Sequence, residues 1–283
     1  MANLPTAILA YDESAIDYSL EQFGQLARTA EAKGAQLFVV NEPANKPDIY
    51  WDSVITLSYL FNATSTIGLA TTLSTNFNEP YHIARILSTN DHFSKGRVAW
   101  HVVRQSIFEK PEQFNTQLTA EDSDKRAREI FDITKQLWDS WEEDAVVVDR
   151  QRGVLFEGDK VHYINYVGEI FKVRGPNATP RSPQGQILKL ATVKDGDFDL
   201  IAVHADIVFV KDVAAFDVKA FEQALIQENR LLQDVQLFTH ANEIEQAAFP
   251  VGGQFFYAHE LSKLKHESPV LKSRLKQKQL VTP

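Results

Sequence analysis

The 283-residue chain is 44% hydrophobic, 11% aromatic and 24% charged, which excludes wholesale disorder and is long enough for a core without cross-links. With no cysteine, disulfide frameworks, thiolate metal sites and cysteine nucleophiles are excluded. The 29 basic and 38 acidic residues leave a net charge of -9, the wrong sign for a nucleic-acid partner.

Residues 4–11 read as a first strand. Over 17–33, Leu20, Phe23, Ala27 and Ala30 fall on one helical stripe, and Gly34 stops that helix. Residues 35–41 form a second short apolar strand. Asp52 is placed to cap a helix reaching about Asn62. Residues 66–73 are a third strand. Pro80 starts a helix containing Ile83, Ala84, Ile86 and Leu87, and 97–103 is a fourth strand. A polar loop over 105–121 leads to a helix at 122–141, where Ala127, Ile130, Phe131, Leu137, Trp138 and Trp141 keep the helical period. Residues 143–186, with turn glycines, Pro176, Pro180 and Pro183, break the rhythm and read as an excursion of hairpins and loop. Strands then follow at 187–193, 206–210, 235–240 and 254–260, with helices near 197–204 and 217–232.

Eight apolar strands alternating with helices imply a parallel sheet covered by helices, and this count suggests a (β/α)₈ TIM-type barrel. A single domain over 1–283 is expected, with 143–186 as a β-containing excursion within it. A doubly wound sheet is the alternative, weakened because no G-x-G-x-x-G follows the first strand. Residues 241–253, which include Pro250, Gly252 and Gly253, leave too little chain for a full crossover helix. The barrel is therefore expected to be irregular between its seventh and eighth strands.

In such a barrel the chemistry sits at the C-terminal strand ends. That rule selects Glu42, Thr72, Ser74, His101, Arg104, Thr192, Lys194, Lys211, His240 and His259. Each histidine has a structural explanation beside the functional one. His92 and His204 end helices, where a cation suits the dipole. No H-E-x-x-H or comparable ligand pair occurs, so no metal site is expected. G-x-S-x-G and P-loop motifs are also missing. The basic residues of 263–278 read as a solvated helix balancing an acidic body. No apolar run approaches the roughly 20 residues of a membrane span, and no basic region precedes the short run TAILAY, so a cytoplasmic protein with no membrane partner is expected. N-x-T triplets at Asn62 and Asn177 read as coincidental.

Three segments carry a resemblance: TIGLATTLSTNFNEPYHIARILSTNDHFSKGRVAWHVV (66–103), LWDSWEEDAVVVDRQRGVLFEGDKVHYINYVGEIFKVRGPNATPRSPQGQ (137–186) and HADIVF (204–209). The chain resembles the bacterial-luciferase-like flavin monooxygenases, in the branch acting on nitrilotriacetate, dibenzothiophene sulfone and long-chain alkanes. A weaker echo is SPVLKSRLKQKQLV near the end. The resemblance implies a (β/α)₈ barrel binding FMN at the strand ends, with reduced flavin supplied by a separate flavin reductase and oxygen used on a small organic substrate. It also implies a homodimer through early helices, for which Ile83, Ile86 and Leu87 offer an apolar face.

Departures are as informative. Glu42 stands where the family usually has Asp, and His101 where it has Asn. Arg104 and Gln105 replace a Thr-Ser pair, and Asp124 replaces a Tyr. Arg104 and Lys194 are placed to supply cationic donors to a phosphate, the alternative being that Arg104 pairs with a carboxylate such as Asp124 and closes an empty site. Thr192-Val193-Lys194-Asp195 replaces a Gly-Ser-Ser turn that helps hold the flavin phosphate, whereas Thr72 and Ser74 match. Family members are usually longer, with an insertion expected between the seventh and eighth strands. Two readings follow. In the first, an FMN-dependent monooxygenase has a remodelled site, with His101 catalytic and Glu42, Thr72, Ser74, His101, Arg104, Thr192 and Lys194 holding FMN. In the second, a catalytically silent homologue serves as a flavin-binding, regulatory or partner subunit.

Overall fold

A computed structural model of the protein describes residues 5–10, 17–42, 51–114, 118–193 and 197–263. Strand β1 (Thr6–Leu9) is followed by helix α1 (Leu20–Ala32). Ser19 opens α1 with a capping box: its hydroxyl accepts the Gln22 N–H, and the Gln22 side chain accepts the Ser19 N–H. Gly34, at φ +79°, lets the chain turn out of the helix. Then come β2 (Leu37–Val40), α2 (Ser53–Ala63), β3 (Gly68–Ser74), α3 (Pro80–Ser94) and β4 (Val98–Val103). Asp52 caps α2 by accepting the Ile55 N–H at 2.9 Å.

Helix α4 (Ala120–Asp139) starts two residues before the sequence expectation, because Thr119 and Asp122 form a second capping box. The excursion contains two antiparallel hairpins, β5 (Val146–Asp149) with β6 (Val154–Phe156) and β7 (Tyr166–Val167) with β8 (Lys172–Val173). The remaining elements are β9 (Leu188–Thr192), α5 (Phe198–His204), β10 (Ile207–Val210), α6 (Val218–Gln227), β11 (Gln236–His240) and β12 (Gly253–Tyr257). Helix α6 ends earlier than expected. Asn229 takes φ +56°, and Arg230 turns back to donate to the Ala202 and Ala205 carbonyls, both at 2.6 Å.

Eight strands close a barrel in the order β1-β12-β11-β10-β9-β4-β3-β2, and neighbouring strands pair in parallel, as in Thr6 with Gln254 and Ala99 with Leu188. Side chains alternate across it. Leu9, Val39, Ala70, Ala99, Leu190, Phe209, Phe238 and Phe255 fill the interior. Ala191, Val208, Val210 and Leu237 point outward and pack on α5 and α6. Between β11 and β12 lies only a 3₁₀ turn, Ala241–Gln246, the irregularity expected there. Phe249 substitutes for a missing helix by packing edge-on against Phe216, with ring centroids 5.1 Å apart.

The chain divides into two compact units, Met1–Thr72 with Ala99–Val102 and Leu188–Pro283, and Leu73–Val98 with Val103–Ile187. In the first, Glu31 of α1 gathers the turn before β3. Its carboxylate accepts N–H groups of Ser65, Thr66 and Ile67 and the Thr66 hydroxyl. Partial burial pushes its pKa up, but these hydrogen bonds outweigh it and hold the group below the usual carboxylate range. Stability from this contact is present above the ordinary value of 4.5 and is lost as pH falls below it. Glu31→Ala should cost about 1–2 kcal/mol in urea unfolding at neutral pH.

In the second unit the excursion is fastened to α3 and α4. Trp141 Nε1 donates to the Asn177 carbonyl at 2.8 Å, and the buried Asn177 amide donates to Ser88 Oγ at 3.0 Å. Burial also removes Asn177 as a glycan acceptor. Asp91, fully buried, accepts the Gln184 N–H at 2.9 Å, and the Gln184 amide also donates to the Val98 carbonyl at 2.7 Å. Glu129 of α4 accepts the N–H groups of Glu169, Ile170 and Phe171.

Two expectations are corrected. Ile83 and Leu87 of α3 are buried, so they offer no free apolar face. His204 is no helix-end cation. Burial lowers its pKa to about 3, and its Nδ1 donates to the Leu200 carbonyl at 2.7 Å as a neutral ring. Most of the basic segment 263–278 lies outside the described residues, as does the echo near the end. Among the described residues, no helix is long and apolar enough to cross a membrane.

Candidate active site at the strand ends

Alternation continues past the apolar interior to the C-terminal strand ends. Asn41 follows Val39, Thr72 follows Ala70, His101 follows Ala99, and Thr192 follows Leu190 by two residues. Lys211, His240 and Tyr257 stand in the same relation to Phe209, Phe238 and Phe255. A polar ring therefore overlies an apolar plug.

One arc of the ring is a hydrogen-bonded chain. Thr72 Oγ1 donates its one proton to the Val40 carbonyl at 2.9 Å. Its oxygen is then left to accept from His101 Nδ1, also at 2.9 Å. Nδ1 thus carries the hydrogen in the neutral ring. His101 Nε2, 2.9 Å from Thr192 Oγ1, accepts from that hydroxyl. Ser53, at the start of α2, fixes the chain from behind by donating to the Thr72 carbonyl at 2.6 Å. His101 is buried, with its ring edge toward Phe209.

The opposite arc is charged. His240 Nε2 lies 2.8 Å from Glu260 Oε2, and that oxygen also accepts the Tyr257 N–H at 3.0 Å. Lys211 Nζ sits 5.9 Å from the centre of the Tyr257 ring, which stacks on His259. Glu42 is half-buried after β2, and the Asn41 amide donates to its carbonyl at 3.2 Å.

The loops after β3 and β4 form their own network in the second unit. Ser74 Oγ donates to Glu109 Oε1 at 2.9 Å, and Glu109 Oε2 accepts the Ser106 N–H at 2.9 Å. Phe77 and Phe114 stack with centroids 4.3 Å apart. Arg104 forms an ion pair with Asp124. Lys194 lies outside the described residues.

The structure thus joins Thr72, His101 and Thr192 and pairs Ser74 and Arg104 with carboxylates, while Glu42 follows β2, half-buried. Sequence reasoning missed Asn41, Glu109 and Glu260. Period-two alternation from Leu37 and Val39 points to Asn41. The two glutamates lie in a loop and a 3₁₀ turn, where no periodic signal operates. Among the described residues, no group of three or more His, Asp or Glu is placed to hold a metal ion. A groove of 410 Å³, lined by residues including Asp132, Asp139 and His162, lies on α4 and the excursion rather than at a strand end.

Comparison with known proteins agrees with this architecture. The family model for luciferase-like monooxygenase matches residues 4–234. N-acetyl-S-(2-succino)cysteine monooxygenase of Bacillus subtilis (strain 168) is 36% identical over 220 residues, covering 74% of this chain and 50% of that protein. Nitrilotriacetate monooxygenase component A of Aminobacter aminovorans is 38% identical over 169 residues, covering 58% of this chain and 37% of that protein. The chain therefore spans half or less of the length of these relatives. The crystal structure of a long-chain alkane monooxygenase shares the fold, with TM-score 0.75, 23% identity, and coverage of 85% of this chain and 64% of that one. With the barrel and its polar strand ends in place, the matched residues leave one assignment: the chain belongs to the luciferase-like monooxygenase family.

Proposed function

We propose that the chain is the oxygenating part of a two-component, FMN-dependent monooxygenase acting on a small organic substrate. The observation that carries this reading is the polar ring over an aromatic floor at the mouth of a family barrel. Its groups suit a flat heterocycle that both donates and accepts hydrogen bonds: the hydroxyl oxygens of Thr72 and Thr192 offer lone pairs and the Lys211 ammonium offers protons, beside Phe209, Phe255 and Tyr257. Thr72, His101 and Thr192 would hold the flavin, with Glu42 beside them. When bound, the flavin supplies oxygen activation and transfer. The protein orients the ring and limits water around it, and His101 holds its proton at Nδ1 against Thr72. A flavin reductase is the proposed partner.

A homodimer is also proposed, on a different surface from α3. Trp51, just before α2, and Ile55 and Tyr59 within it recur every four residues and are 40%, 69% and 40% exposed.

The test supplies the protein with chemically reduced FMN, labelled molecular oxygen and N-acetyl-S-(2-succino)cysteine, chosen because a relative is named for it. Label in an oxygenated product supports the reading. Failure of FMN to bind, followed by quenching of flavin fluorescence, would sink it. The phosphate has its own prediction. Arg104 is held by Asp124, so it reaches a phosphate only by exchanging partners. If it does, Arg104→Ala weakens FMN by roughly 1.5–3 kcal/mol, and Asp124→Asn tightens FMN relative to riboflavin. Equal binding of both flavins by wild type and both variants removes Arg104 from that role.

A further inference from the structure

Two imidazoles stand over one aromatic floor. The His101 and Phe209 ring centroids are 6.4 Å apart, those of His240 and Phe255 5.4 Å, and those of Phe209 and Phe255 5.8 Å. Their surroundings divide the labour. Both nitrogens of His101 meet threonine hydroxyls. His240 meets a carboxylate instead, and Glu260 is 5% exposed.

The hydrogen-bond pattern sets the His240 tautomer. Glu260 Oε2 already accepts the Tyr257 N–H and meets His240 as an acceptor, so His240 Nε2 carries the hydrogen. The Nδ1 lone pair receives the Asn242 N–H at 3.4 Å, the long limit of such a bond. A stronger donor displaces so weak a contact at small cost. The ring is also reachable, because the His240 side chain is 16% exposed.

We propose that His240 is a proton-accepting base of the barrel mouth, acting through Nδ1, with Glu260 as its positioning residue. The arrangement is that of an imidazole oriented and charge-compensated by a buried carboxylate. In the step, a substrate hydrogen leaves as a proton to Nδ1, and its bonding electron pair stays on the substrate. Nε2 keeps its hydrogen on Glu260, which offsets the new positive charge. The Asn242 N–H loses its acceptor. Substrates of this class carry a hydrogen an imidazole can remove, on sulfur, on a phenolic oxygen or on carbon beside a carbonyl. The base serves the monooxygenase reading above, yet its chemistry is testable without flavin.

The competing role is a clasp that ties β11 to the turn after β12, in which Nδ1 is sealed. Diethyl pyrocarbonate, which acylates imidazole nitrogens bearing a lone pair, separates the two. The full chain is treated at neutral pH, and each histidine is followed by peptide mass spectrometry. His240 should label to completion, and the buried His204 should stay unmodified. Glu260→Gln, which removes the charge and keeps the shape, should slow labelling at His240 several-fold while circular dichroism is unchanged. Nitrogen-15 spectra of the wild type should place the bare nitrogen of His240 at Nδ1. An unlabelled His240 in a sample whose exposed His82 labels overturns the proposal, as does a bare Nε2. If FMN fails to bind and His240 labels as described, the monooxygenase reading fails and the base stands.

Discussion

Gly253→Ala should destabilise the protein by about 3 kcal/mol, the upper end of ordinary overpacking. A Cβ built there meets three atoms of the Phe238 ring at 2.3, 2.4 and 2.6 Å. The ring cannot step aside, because Phe238 is buried in the barrel interior and pairs in register with Gly253. Gly253 is therefore needed for the space it leaves empty, which the Phe238 ring occupies. A double-mutant cycle checks this. Phe238→Ala alone should cost about 3–5 kcal/mol in urea unfolding. In the Gly253→Ala background it should cost less by at least about 1 kcal/mol, since the two residues compete for one volume. Additive losses would show that the clash is relieved elsewhere.

His204 should make the fold acid-sensitive in a window that opens above the carboxylate range. Burial, the largest cause, takes its pKa from the ordinary 6.5 to about 3. The unfolded chain therefore binds a proton that the folded chain refuses. Stability is lost as pH falls below 6.5, and the loss ends near 3. Within that window it amounts to roughly 1.4 kcal/mol for each pH unit. His204→Asn keeps a donor for the Leu200 carbonyl and removes the titration. Urea unfolding at several pH values should show wild type losing stability faster than the variant by about that slope. Parallel curves would mean that His204 protonates in the folded state. Glu31 also loses its contribution at low pH, but it does so in both proteins and cancels in the difference.

The barrel was legible because its signals are local. Leu37, Phe38, Val39 and Val40 are apolar on both faces, as a strand covered on both sides requires. Asp52 and Pro80 mark helix starts through chemistry contained within one turn. The candidate site was legible only in part. The strand-end rule named Thr72, His101 and Thr192, but their bonding joins residues 29 and 91 positions apart, which no local pattern reports. Glu109 and Glu260 act on Ser74 and His240 from segments without periodicity. The Arg104 ion pair with Asp124 is the alternative the sequence offered to a phosphate contact, and the structure contains it.

Asp91 with Gln184, and Asn177 with Ser88, lie within the two long segments through which the chain resembles its relatives. They are joints, in which a buried carboxylate and a buried amide lock the excursion to its helix. A joint is indifferent to what reacts at the other end of the strands. Likeness carried by those joints therefore speaks for the frame, and the proposed site residues Glu42, His101, Arg104 and Thr192 have to be compared on their own. Sorting members of such a lineage by the reactions they catalyse calls for comparing strand termini, with the joints set aside.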